Sequence, residues 1–109
     1  MDASEHAADD RALVLAGPVT TATAPATRQR MLELLSRAPA CVIHAREVTQ
    51  LDAAGAQLLH AFLIEAARRG TPVTWVDASV FVVEAARMLG MEDCLGLSGL
   101  SKEATSWQP

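Results

Sequence analysis

The sequence contains few aromatic residues, few cysteines and no excess of positive charge. Phenylalanine and tryptophan make up 4% of its 109 residues and tyrosine is absent, so an aromatic platform for stacking nucleic-acid bases or sugars is not indicated. Nine basic and 13 acidic residues give a net charge of −4 at pH 7. Because nucleic acids and anionic membranes draw most of their affinity from basic protein surfaces, we expect neither as a partner.

Long hydrophobic runs and a secretory signal are also missing. No apolar run approaches the roughly 18 residues needed to span a bilayer, and residues 1–10 are acidic rather than apolar. We therefore expect a cytoplasmic protein in which Cys41 and Cys94 are reduced thiols. Half of the residues are hydrophobic and 20% are charged, which favours a single globular domain over a disordered chain.

The hydrophobic pattern alternates between short strand-like runs and helix-length segments. The three predicted strands are residues 11–15, 40–44 and 73–76. The three predicted helices are residues 23–37, 53–69 and 80–89. Asp52 and Ser79 are placed to cap the second and third helices. Strands separated by helix-length crossovers are normally parallel and covered by those helices, so the predicted fold class is α/β, with a small, mostly parallel or mixed β-sheet covered by helices.

The segments between these elements complete the predicted organisation. Gly17-Pro18 is expected to end the first strand as a turn, and residues 45–51 are expected to form a loop anchored by Val48. After Met91, Leu95 and Leu97 favour either an edge strand or a short helix. The expected division of the chain is a mobile leader over residues 1–10, one domain over residues 11–97 and a tail over residues 98–109.

A catalytic or metal-binding constellation is not visible in the sequence. Cys41 and His44 lie three residues apart on a predicted strand, where alternating side chains should point them to opposite faces. No histidine or cysteine pair has the spacing of a zinc site, and no glycine-rich phosphate loop is present. We therefore expect no enzyme activity, cofactor or metal. An enzyme or small-ligand binder that uses His44, Cys41 or Cys94 remains the alternative.

The segment from Val48 to Gly55 places an aspartate, two alanines and a glycine at the start of the second helix. Helix amino ends expose unpaired N–H groups and partial positive charge, and small side chains leave that backbone accessible to a partner. The alternative interpretation is an ordinary aspartate cap followed by helix-favouring alanines.

Six segments of the chain follow one another in a distinctive order and spacing. They are Leu15-Ala-Gly17-Pro-Val-Thr20, the predicted strand that ends at His44, Val48-Thr-Gln-Leu-Asp52-Ala-Ala-Gly55, Gly70 with Val73-Thr-Trp-Val76, Ser79, and Leu89-Gly90-Met91. In this order and spacing they resemble the STAS family. The resemblance covers about residues 11–97, and residues 55–62 look closest to single-domain members associated with chemotaxis-type signalling clusters. The family includes the anti-sigma-factor antagonists of bacterial stress and sporulation control. His44 departs from the pattern, since the family often has aspartate there.

The resemblance implies a protein–protein interaction module in bacterial signalling whose partner is a serine-kinase-type anti-sigma factor or a related signalling protein. In antagonists that act as phosphoswitches, the positions matching Ala53 or Ala54 carry a serine or threonine that a partner kinase phosphorylates. Alanine has no hydroxyl, so we expect no phosphorylation there and a constitutively binding-competent protein. A second role implied by the resemblance is that of an accessory subunit that binds the ATPase of an ABC-type lipid transport complex.

The candidate partner-binding residues form two groups. The first group lies at the mouth of the second helix and on its exposed turns: Thr20, Asp52, Ala53, Ala54, Gly55, Gln57, His60 and Ile64. The second group lies on the last helix, where apolar side chains span well over half of the circumference. That width leaves Phe81 and Met88, or Val83, for a partner, unless the tail covers them through Leu97, Leu100 or Trp107.

Overall fold

The computed structural model describes residues 11–98, which form three strands and four helices. In chain order the elements are β1 (Ala12–Val19), α1 (Ala24–Arg37), β2 (Cys41–Leu51), α2 (Ala53–Arg68), β3 (Val73–Ala78), α3 (Val80–Met88) and α4 (Glu92–Leu95). The predicted leader and nearly all of the predicted tail lie outside the described residues.

The three strands form one parallel sheet in the order β1-β2-β3. Successive strand residues point to opposite faces, and the burial follows this alternation: Leu13 and Leu15 of β1 are buried, whereas Val14 between them is 45% exposed. The buried side chains of the strands join those of the helices in one core, while Val14 and Val76 leave apolar surface on the other face. The predicted α/β fold class is confirmed.

Strand β2 is longer than the sequence predicted, so the prediction of a loop over residues 45–51 is wrong. The segment pairs in parallel with the end of β1, where Glu47 lies opposite Ala16 and Leu51 opposite Val19. Irregularities in the register add extra residues to β2. As a result Ala45, Val48 and Leu51 are buried at intervals of three residues rather than two. A search for period-two alternation cannot detect such a strand.

Strand β1 also continues through Gly17-Pro18, so the turn expected there is wrong. Gly17 has a φ of 69°, in the left-handed region that glycine adopts without a steric penalty, and it lies beside a register shift. Pro18 is tolerated because β1 is at the edge of the described sheet, where a missing N–H breaks no ladder on the outer side. The first strand therefore reaches Val19 and delivers Thr20 to the start of α2.

The helices agree closely with the prediction. Asp52 caps α2 by accepting a hydrogen bond from the Gly55 N–H, and Ser79 caps α3 by accepting one from the Val82 N–H. Thr23 precedes α1 but does not cap it with its side chain; its hydroxyl donates to the carbonyl of Pro18 at 3.0 Å instead. No helix in this part of the chain is long and apolar enough to cross a membrane.

The end of the described chain is a short helix, α4, so the edge-strand alternative for this segment is wrong. Leu95 and Leu97 are both fully buried. Trp75 of β3 donates its indole N–H to the carbonyl of Leu95 at 2.8 Å, and this bond fixes α4 to the sheet. Helix α4 contacts both α2 and α3.

Candidate functional site

The amino end of α2 is tied to the turn between β1 and α1 by one carboxylate. Asp52 Oδ1 accepts a hydrogen bond from the Gly55 N–H at 2.8 Å. Its Oδ2 accepts from the Thr21 N–H at 3.1 Å and from the Thr21 hydroxyl at 3.4 Å. The bond from Gly55, followed by the one from the Thr21 backbone, holds the pKa of the Asp52 carboxyl below its ordinary value. Asp52 therefore both caps the helix and fixes the neighbouring turn.

Gly55 is required for the close approach of α2 to β1. A Cβ atom at this position would lie 2.1 Å from the Val19 carbonyl oxygen and 2.8 Å from the Val19 carbonyl carbon. Both atoms belong to the backbone, so no side-chain rotation relieves the clash. Gly55 is also buried, and its role in this structure is steric. The approach it permits places the α2 mouth beside Thr20 and Thr21.

One exposed stripe runs along α2 from this mouth. Ala53, Gln57, His60 and Ile64 follow one another at intervals of four, three and four residues, which is the spacing of a single helix face. Ala53, Gln57 and Ile64 are exposed and His60 is half-buried. Ile64 is apolar but 50% exposed. The structure thus brings these residues together with Thr20 and the half-buried Ala54, and we refer to the set as the α2 surface.

A second, apolar surface lies on α3. Phe81 is 57% exposed and Met88 is 82% exposed, whereas Val83 is buried with Val82 and Ala86. Of the expected coverings, Leu97 is buried in the core, and Leu100 and Trp107 lie outside the described residues. The surface borders a groove of about 530 Å³ between Arg46, Val76 and Phe81. The two surfaces lie on different helices, α2 and α3.

The histidine and cysteine of β2 do not meet. Cys41 is buried, and burial raises the pKa of its thiol. His44 lies on the other face, where its Nδ1 is 3.4 Å from Asp77 Oδ2. The opposite placement expected from strand alternation is confirmed. Cys94, the third residue of the enzyme alternative, is exposed on α4.

Asp77 is a residue that the sequence did not single out. Its Oδ1 accepts hydrogen bonds from the Ala45 and Arg46 N–H groups, both at 2.8 Å. These N–H groups lie beside an irregularity in the β2–β3 register, so the carboxylate takes over bonds that the strand ladder would normally make. The signal in the sequence was slight: an aspartate directly after an apolar strand. Within residues 11–98 no group of three histidine, cysteine or acidic side chains could hold a metal ion.

Comparison with known families matches this arrangement to one of them. The family model described as Mlab, STAS domain matches residues 3–99, which is most of the 109-residue chain. The chain belongs to the STAS-domain family. No curated protein matches it. STAS domains are generally non-enzymatic binding modules, and membership indicates either a signalling module similar to the anti-sigma-factor antagonists or a transport-associated module.

Proposed function

We propose that this STAS protein is a non-enzymatic protein–protein interaction module of a bacterial signalling pathway, and that it docks a serine-kinase-type anti-sigma factor or a related signalling protein. The observation that carries the proposal is the α2 surface, where small and exposed side chains follow a rigidly held helix start. Asp52 and Gly55 lie at its origin and fix its position.

Rigid attachment of the α2 mouth favours binding because the surface is already ordered before a partner arrives. Association must offset the entropy lost when loops and side chains become fixed. The turn at Thr21 is held by Asp52, and the start of α2 is held against Val19. Ala53 and Ala54 have few rotamers to lose, and their short side chains let a partner approach the helix backbone.

The same two alanines determine how binding is regulated. A phosphate group would add about −1.5 to −2 charges at pH 7 beside the Asp52 carboxylate and would disfavour an acidic or apolar partner surface. Alanine cannot be phosphorylated and corresponds to the unmodified state. We therefore infer that the module is constitutively binding-competent, with control exerted through its abundance or through the partner.

Affinity capture of the tagged protein from its native host, followed by mass spectrometry, tests this proposal. Ala53→Glu introduces a negative charge at the α2 mouth. Gln29→Glu is the matched control, because Gln29 is also exposed on a helix and the change adds the same charge, but it lies on α1 and outside both candidate surfaces. Recovery of a serine-kinase-type regulator by the wild type and Gln29→Glu, but not by Ala53→Glu, supports the proposal.

Two results would contradict it. Equal recovery of the regulator by both glutamate variants would place the interface elsewhere. A requirement for phosphorylation of the exposed Thr49 would show that the protein is a phosphoswitch after all, which a Thr49→Ala variant would reveal by losing its function in the host.

A second candidate function is that of an accessory subunit of an ABC-type lipid transport complex, in which the module would grip an ATPase subunit permanently. The observation that favours it is again Ala53-Ala54, because a permanent subunit needs no phosphorylation switch. Co-purification with a transport ATPase at fixed stoichiometry would support this role over the signalling role.

A further inference from the structure

Helix α3 carries an apolar stripe that the other described residues, 11–98, leave exposed. Phe81, Ala85, Met88 and Leu89 are spaced by four, three and one residues, which places them on one side of the helix. Phe81, Met88 and Leu89 are exposed and Ala85 is half-buried. Scattered exposed apolar residues need no explanation, but a contiguous exposed stripe indicates an interaction surface. We refer to these four residues as the α3 stripe.

The polar edge of the α3 stripe carries one acid and one base. Glu84 and Arg87 lie one turn apart, with Arg87 Nη1 at 3.0 Å from Glu84 Oε2, and both side chains are about half exposed. Arg87 also approaches Glu92 at 3.7 Å. An edge with opposite charges one turn apart is self-complementary when two such helices run in opposite directions.

We propose that the α3 stripe is covered by a second copy of this chain, with the two α3 helices packed antiparallel about a two-fold axis near Ala85. This arrangement brings Phe81 of one copy close to Met88 of the other. It also places Ala85 opposite its counterpart, where the small side chains let the helices approach. A two-fold interface uses the same patch on both copies.

The charges fit the same arrangement. A two-fold axis perpendicular to the plane of the two helices keeps both polar edges on one side of the interface. Glu84 of each copy then lies near Arg87 of the other, giving two equivalent ion pairs. Exposed ion pairs contribute little affinity, but they fix the orientation in which the partners dock.

The expected dimer is weak and reversible. Helix α3 has nine residues, so it is about 13.5 Å long, and its contact is smaller than the roughly 800 Å² per partner of a standard stable interface. Association should therefore need protein concentrations above the micromolar range. The proposal does not rest on the signalling function, because the residues that carry it lie on α3, whereas the proposed partner surface lies on α2.

Sedimentation equilibrium of the full chain tests the proposal. Between about 10 µM and about 1 mM protein, the wild-type mass should rise from 11.6 kDa toward twice that value. Phe81→Glu should raise the dissociation constant at least about tenfold, because it removes buried apolar area from both copies. Ile64→Glu is the matched control, since Ile64 is similarly exposed but lies on the α2 surface, and it should leave the dimer unchanged.

A charge-swap experiment checks the antiparallel geometry independently. Glu84→Arg gives a polar edge with two positive charges, and Arg87→Glu gives one with two negative charges. Each variant alone should self-associate several-fold more weakly than the wild type, whereas an equimolar mixture of the two should associate. Circular dichroism confirms that the variants are folded.

Three results would overturn the proposal. A wild-type mass that stays monomeric at about 1 mM protein would show that the α3 stripe does not pair with a second copy. Loss of the dimer in Ile64→Glu but not in Phe81→Glu would place the interface on α2. A mixture of the charge variants that associates no better than either alone would exclude the antiparallel pairing.

Discussion

The amino ends of α2 and α3 are both capped by a polar side chain, but they differ in what surrounds the cap. Each helix begins directly after a strand, and each has a polar side chain as its cap. At α2, the Asp52 carboxylate also binds the turn at Thr21, and the nearest side chains are short. At α3, the Ser79 hydroxyl donates to the Val48 carbonyl at 2.8 Å. Two residues later in the chain, the large apolar side chain of Phe81 is exposed to solvent.

The difference teaches that the two ends are suited to different contacts. The α2 end is stabilised by backbone hydrogen bonds and close packing, so its shape is fixed and the proposed partner would gain from complementarity to small residues. The α3 end offers apolar area, so a second copy docking there would gain from burial of that area. Substitutions at the two ends should therefore differ in whether they affect folding or association.

The largest expected effect is that of Gly55→Ala. Alanine has the higher helix propensity, by about 1 kcal/mol, so propensity alone predicts stabilisation. The Cβ clash with the Val19 carbonyl opposes it, and overpacking against backbone costs about 3 kcal/mol. We expect the clash to win and the free energy of unfolding in urea to fall by about 2 kcal/mol. Gln57→Ala, at an exposed site on the same helix, should be nearly neutral. An increase in stability for Gly55→Ala would refute the steric role of this glycine.

Asp52→Ala should have the next largest effect on folding. It removes the cap of α2 together with both bonds to Thr21, so the melting temperature should fall by several degrees. Asp52→Asn keeps a side-chain oxygen acceptor, so its melting temperature should fall less than that of Asp52→Ala. A melting temperature equal to the wild type in Asp52→Ala would show that the tether between α2 and the turn does not contribute to stability.

The contribution of Asp52 should depend on pH in a defined direction. Its folded-state pKa lies below the ordinary value of 3.8, so the ionised carboxylate stabilises the fold above that value. The contribution is lost as the pH falls through the lowered pKa. The difference in urea midpoint between the wild type and Asp52→Ala should be constant near neutrality and should shrink below about pH 4. A difference that grows on acidification would contradict the assignment.

Ser79→Ala tests the α3 end in the same way. The change removes the side-chain cap of α3. It also removes the hydrogen bond that the Ser79 hydroxyl donates to the carbonyl of the buried Val48. We expect a loss of about 1 kcal/mol in unfolding free energy, which is smaller than that for Gly55→Ala. Ser79→Thr keeps the hydroxyl and serves as the control. If Ser79→Ala destabilised the protein more than Gly55→Ala, then the amino end of α2 would not be the more tightly packed of the two ends, and the contrast drawn above would be wrong.

Phe81→Ser should have the smallest effect on the folding of the monomer. The side chain is largely exposed, and exposed substitutions usually change stability by less than about 0.5 kcal/mol. Chemical denaturation in dilute solution, below the concentration at which copies associate, measures this directly. A loss above about 2 kcal/mol would mean that Phe81 belongs to the core and would remove it from the apolar surface.

The sequence predicted the class of the fold and the helices well because their signals are local. Asp52 and Ser79 stand where caps stand, and Gly70 follows the end of α2 with a φ of 72°. The second half of β2 could not be predicted. Polar residues occur along it, and its pairing with β1 at Glu47 and Leu51 is a long-range property with an irregular register. Asp77 was missed for the same reason, since its partners are 31 and 32 residues away in the sequence.

The candidate site was predicted as a set of residues, but their separate roles needed the structure. The interval of Ala53, Gln57 and Ile64 defines a helix face from the sequence alone. The clash between Gly55 and Val19 depends on a contact between elements that no local pattern records. The partner-binding role of these residues stays a prediction, and only the structure shows that Asp52 and Gly55 hold the start of α2 in place.

The order of strands in the sheet, which equals their order in the chain, has a consequence for synthesis on the ribosome. The chain can pair β1 with β2 as soon as both have emerged, but one side of β2 then stays open until β3 follows. An open strand edge is a template for pairing with other chains. A fragment that stops at Gly70 should therefore self-associate, which light scattering would detect.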